Sequence, residues 1–172
     1  MATFYKIAAV TVGSGGTSSI AFTSIPQTYT DLKILWAIRC VQTGNIAGDV
    51  KISINGSTAN FTSRRLFGDG ATKYADAQTN WIGIATSLTA TASTFSNGEM
   101  YLPNYTSTSV QKSLSIDSGG ENNATATYLG FIAGRWASTS AITSINIQPD
   151  LGSTGSNFAQ YSTFYLYGVL KA

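Results

Sequence analysis

Residues 161–172 read YSTFYLYGVLKA, and period two is the regular pattern that fits them. As a strand, the stretch sends Phe164, Leu166 and Leu170 to one face. Tyr161, Tyr165, Tyr167 and Val169 fall on the other. A strand that covers a core has one apolar face and one wet face. Here the second face is lined with tyrosine, which raises the question of what those rings touch.

The same alternation runs outward through the chain. FYKIAAVTV at 4–12 reads as a strand, closed by the loop GSGGTSS, with SIAFTSI at 19–25 as its expected hairpin partner. LKILWAIRC at 32–40 buries Leu32, Ile34, Trp36 and Ile38 on one face, and Cys40 is in phase with them. VKISI at 50–54 alternates and ends in Asn55-Gly56, a strong tight-turn dipeptide. ANFTSRRLFG, WIGIA at 81–85, EMYLP at 99–103, KSLSID at 112–117, ATYLGFIAGRW at 126–136 and SINIQ at 144–148 complete the set. Between 86 and 98 the hydrophobic period lapses, as in a long loop, and a helical turn or two within 84–95 is the one competing element. Nowhere do apolar residues hold helical spacing over a long window. The pattern predicts an all-β chain: one antiparallel β-sandwich domain, jelly-roll-like, over residues 1–172.

Composition narrows the chemistry. The chain carries 10 basic and 8 acidic residues, no histidine and one cysteine. Serine and threonine make up about a quarter of it, and hydrophobic residues 43%, too many for a disordered chain. A single cysteine forms no intramolecular disulfide, and Cys40 reads as a buried structural thiol. Without histidine, Ser-His-Asp and Cys-His machinery is excluded, as are histidine-ligated metal sites. No metal or other cofactor is implied. GSGGTSS lacks the Lys-Ser/Thr ending of a phosphate loop. IAAVTV after Lys6 is too short and strand-like for a signal peptide, and no stretch reaches the roughly 20 apolar residues of a membrane span. The Asn-x-Ser/Thr matches at Asn55, Asn60, Asn104 and Asn123 then read as products of composition.

Three groups of residues remain as candidate sites. Arg64-Arg65 is the best local basic pair, and a surface or protein-interface role outweighs nucleic-acid binding, which needs a basic stripe. Trp81 and Trp136 could stack a sugar ring if both are exposed in one groove. A glycosidase needs only two carboxylates, and Asp69, Asp76, Asp117 and Glu121 are the ones to consider, with solvated loop positions the plainer reading.

Several longer segments carry a family likeness. MATFYKIAAVTVGSGGTSSIAFTSIPQTYTDLKI (1–34), NGEMYLPNYTS (97–107), ENNATATYLGFIAGRW (121–136), AITSINIQP (141–149) and NFAQYSTFYLYGV (157–169) resemble small β-sandwich virion proteins of tailed bacteriophages. Phages of aquatic bacteria and cyanobacteria are among them. The segments frame a fold and contain no catalytic motif. The resemblance implies a non-enzymatic structural protein on the virion exterior, assembled in the host cytoplasm. Its leading form is a capsid cement or decoration protein that bridges shell subunits. The implied partners are the major capsid protein or neighbouring virion proteins, with a homo-oligomer, favoured as a trimer, and neither nucleic acid nor membrane. The alternative is a glycan-binding receptor module at a tail tip or fibre. On either reading Tyr161, Tyr165 and Tyr167, with Tyr5 from the first strand, are expected to meet another subunit unless a loop of the same chain, such as 86–98, covers them.

Overall fold

A computed structural model describes residues 3–121, 127–150 and 157–170. The Asn123 tripeptide and most of the 149–159 loop lie outside the described residues. Twelve strands and no helix are present among the described residues: β1 Thr3–Thr11, β2 Ile20–Phe22, β3 Asp31–Ile38, β4 Ala47–Ile54, β5 Phe61–Gly68, β6 Lys73–Gln78, β7 Trp81–Thr86, β8 Ser96–Pro103, β9 Lys112–Gly120, β10 Tyr128–Trp136, β11 Ile145–Pro149 and β12 Thr163–Leu170. They form two antiparallel sheets. The larger has eight strands in the order β1-β12-β3-β8-β9-β10-β5-β6, and the smaller has four, β2-β11-β4-β7.

Alternation decides which side chains meet between the sheets. Leu32, Ile34, Trp36 and Ile38 from β3 join Met100 and Leu102 from β8, Ile116 from β9, Ile132 from β10, and Phe164 and Leu166 from β12. The smaller sheet answers with Ile20, Phe22, Val50, Ile52, Ile54, Ile145 and Ile147. Lys51 and Ser53 alternate outward, only half-buried. The single cysteine, Cys40, is fully buried and free, and burial pushes its thiol up.

One expected pairing is wrong. β1 lies against β12, and β2 belongs to the other sheet, paired with β11. The GSGGTSS segment is therefore a crossover between layers rather than a hairpin turn. Gly16 bends there with a φ of 73°, and a Cβ would strike the carbonyl oxygen of Phe158 at 2.6 Å. Thr17 bridges to Phe158, and the Val12 N–H donates to the carbonyl of Ser162, 2.8 Å. A loop held to a distant segment in this way leads the chain off its sheet, and nothing in 4–25 read alone reveals the distant partner.

The packing has a tight spot at the centre of the larger sheet. Trp36 sits opposite Gly98 in the β3–β8 ladder, and a Cβ at Gly98 would lie 2.6 Å from two ring carbons of the indole. Gly98→Ala is expected to cost about 1–3 kcal/mol by overpacking. The change at the neighbouring exposed position, Asn97→Ala, should cost less than about 0.5 kcal/mol. Urea denaturation of both variants tests this, and equal midpoints would contradict the packing described.

Candidate functional site

The ladder registers place one residue per strand into rows across the outer face of the larger sheet. One row runs Ala75, Leu66, Phe131, Asp117, Glu99, Leu35, Tyr165, Ala9. Its neighbour runs Ala77, Arg64, Ala133, Ser115, Tyr101, Lys33, Tyr167, Lys6. Opposed residues in a ladder point to the same side, so these side chains share one surface. Two apolar patches flank a charged centre on it. Leu66, Leu129 and Phe131 make the first, each more than half exposed (56–57%). Phe4 and Tyr165 belong to the second, with the Tyr165 and Tyr167 rings stacked at 6.5 Å.

Beside the first patch the face is hollowed. Ala75, Ala133 and Ser115 are short where Arg64, Leu66 and Phe131 are long, which leaves a trough of about 640 Å³. Glu99 and Asp117 stand side by side along its margin, and Lys33 pairs with Glu99 at 2.7 Å. Burial and the Glu99 charge push the Asp117 carboxyl above its ordinary range, against a smaller opposing pull from Lys33. The carboxylates singled out from sequence are dispersed. Asp69 accepts the Ala71 and Thr72 backbone N–H groups within its own turn, which holds its carboxyl low. Asp76 turns its carboxylate to Arg65 on the inner side of the sheet, and it lies three strands from Asp117, about 14 Å at ordinary strand spacing. That is beyond the roughly 5–9.5 Å of glycosidase pairs. Asp117 meets Glu99 rather than Glu121. Among the described residues no group of three His, Cys, Asp or Glu side chains is placed to hold a metal.

Arg64 and Arg65, adjacent in sequence, point opposite ways. Arg64 belongs to the outer face, and its guanidinium donates to the carbonyl of Ser63. Arg65 turns under the sheet and closes the gap between the two layers. It grips Asp76 with two bonds, Nε to Oδ1 at 3.1 Å and Nη2 to Oδ2 at 2.6 Å, and its Nη1 lies 3.8 Å from Asp49. Its guanidinium is stacked on Phe67 at 4.0 Å and on Trp81 at 4.3 Å. Planar charge between two rings is strongly favoured for arginine, and nothing in the spacing of Arg65 and Trp81 indicates that they meet.

This arrangement corrects the expected aromatic platform. Trp136 is only 4% exposed and stacks on Phe61 at 6.3 Å, while one face of Trp81 is occupied by Arg65. The two indoles do not share an open groove, because each fills space between the layers. The tyrosines also divide. Tyr165 and Tyr167 occupy the outer face. Tyr5 is registered with Gly168 on the inner side, with its ring 5.8 Å from that of Tyr29. Tyr161 precedes β12, in a turn with φ of 71°, and is largely exposed. The expected 86–98 loop is shorter, since Thr86 closes β7 and Ser96 opens β8, and it gathers elsewhere: Arg39 donates to the carbonyls of Thr91 and Thr94 at 2.8 and 2.9 Å.

Burial pushes the Asp49 carboxyl up to about 7, against the pull of Arg65. The folded chain then holds a proton there that an unfolded carboxyl releases near pH 4. Stability from this group is complete below about pH 4 and is lost as pH rises through about 7. About a third of the side chain is exposed, and solvent moderates the effect. Asp49→Asn should therefore gain on the parent in denaturation midpoint between pH 4 and pH 8, and a constant difference would contradict the raised carboxyl.

No protein-family model, curated protein or solved structure matches this chain.

Proposed function

We propose that this chain is a non-enzymatic structural protein of a tailed-phage virion, a capsid decoration protein that bridges shell subunits on the particle exterior. Two lines support the reading. The first is the segment-by-segment resemblance to small phage β-sandwiches. The second, which carries the proposal, is the contiguous exposure of Leu66, Leu129 and Phe131 on adjacent strands of one sheet face. The sandwich core does not need those side chains, since they point away from it. Large apolar groups gathered on a face in this way mark a surface that another molecule covers. Each contributes about 2 kcal/mol if fully buried. A decoration protein repeats that modest gain at symmetry-related positions, where linked contacts multiply.

A tail-associated glycan-binding module is the second reading, and the trough is what favours it. Arg64, Ser115 and Asp117 present donors and acceptors beside the exposed ring of Phe131, a different constellation from the two tryptophans considered from sequence. Alanines and Leu66 form much of the remaining wall, which suits an inserted apolar side chain better than a polyhydroxylated ring.

Leu66→Ser with Phe131→Ser should leave the circular dichroism spectrum unchanged, as both side chains are exposed. Binding to purified shells assembled without this protein should weaken at least tenfold, as for interface anchors. Undiminished shell binding by the folded double variant would overturn the proposed docking face.

A further inference from the structure

The two sheets have four outer strands, and three of them are guarded against pairing with another chain. β2 is three residues long. β6 is six residues long and carries Lys73 and Asp76, the latter held by Arg65. β7 is largely buried along its length. Short, charged or covered edges resist addition of a further strand. β1 differs from all three. It runs nine residues, TFYKIAAVT, with Lys6 its sole charge, and its first four residues are exposed. Among the described residues no other strand pairs with its free side. A bulge between Lys6 and Ala8 is its one irregularity.

We infer that β1 is a self-association edge, on which a second copy of this chain pairs antiparallel through its own β1. The strand is complementary to itself about a twofold axis placed between Lys6 and Ile7. In that register Phe4 lies opposite Ala9 of the second copy, and Tyr5 lies opposite Ala8. The ladder with β12 fixes the faces: Phe4 and Ala9 are registered with Val169 and Tyr165 on the outer side, Tyr5 and Ala8 with Gly168 and Leu166 on the inner side. Like faces therefore meet across the axis, and each large ring is set against a methyl group. At the axis itself Lys6 points outward and Ile7 packs toward the core, so the matched faces are those of the flanking pairs, and the bulge at the axis interrupts both halves equally.

A second copy satisfies this edge better than a foreign strand because the match comes from one sequence read in both directions. A twofold pairing is also closed, so the edge is consumed without propagating a fibre. The product is a continuous sixteen-stranded sheet, with the outer faces of both copies on one side. This inference is independent of the virion reading and stands or falls on the isolated protein.

The test is sedimentation equilibrium of the purified chain from 1 to 100 µM, with Phe4→Lys/Ala9→Lys and Leu66→Ser/Phe131→Ser as paired variants. The parent is expected to reach twice the 18.1 kDa chain mass. Phe4→Lys/Ala9→Lys, both at exposed positions, should dissociate at least tenfold more readily while keeping its circular dichroism spectrum. The outer-face variant should dimerise like the parent. A monomer throughout, a trimer, or a dimer that survives the β1 charges would overturn the inference.

Discussion

An eight-stranded sheet cannot be covered by a four-stranded one, and most of what is specific to this molecule follows from that mismatch. The smaller sheet shields the middle of the inner face, while strands at both flanks extend past it. Uncovered inner faces would leave apolar area in water, so each flank is closed by a different device. On the β5–β6 side, Arg65 spans from the larger sheet to Asp49 of the smaller one, packed between Phe67 and Trp81. On the β1–β12 side, Tyr29 from the loop before β3 lies over Gly168, where a Cβ would collide with the ring, and Tyr5 packs beside it. Glycine at 168 is thus a space requirement rather than a turn.

Loops at the ends of the sandwich are fastened by buried charges that bond to backbone. Lys112 is fully buried, and its ammonium donates to the carbonyls of Ser107, Val110 and Thr139 at 2.8, 2.8 and 3.2 Å. Arg39 gathers four carbonyls between Leu88 and Thr94. Asp31 accepts the Asn104 N–H at 2.9 Å and the Tyr101 hydroxyl at 2.5 Å, a bond that pushes the tyrosine up to about 12. A charge buried this way is stabilising only while its bonds are made, and deleting the partners leaves a costly group behind. The exposed Leu66, Leu129 and Phe131 of the outer face stand on strands paired on both sides, so they are presented without much ordering cost on binding.

Alternation made the class of fold legible. Leu32, Ile34, Trp36 and Ile38 are buried as their period requires, and the same holds for Val50, Ile52 and Ile54. Connectivity was less legible, because period two says which face a residue takes but not which strand lies beside it. GSGGTSS looks like a hairpin loop in either case. The site was partly legible: tyrosine alternation in residues 161–167 put Tyr165 and Tyr167 on one face, and both lie on the outer face of the larger sheet. The Leu66–Leu129–Phe131 patch escaped notice because LFG and LGF look like ordinary strand ends until register brings them together. The burial of Arg39 and Lys112 is not legible at all, since sequence carries no mark of a cation saturated by carbonyls.

The central claim is that this outer face works by being covered on an assembled shell. Copy number tests it most directly: peptides of this protein are quantified against those of the major shell protein in purified particles. Hundreds of copies, near a simple ratio to the shell subunit, are the predicted result. Absence from the particles, or only a few to a few dozen copies, would contradict the account.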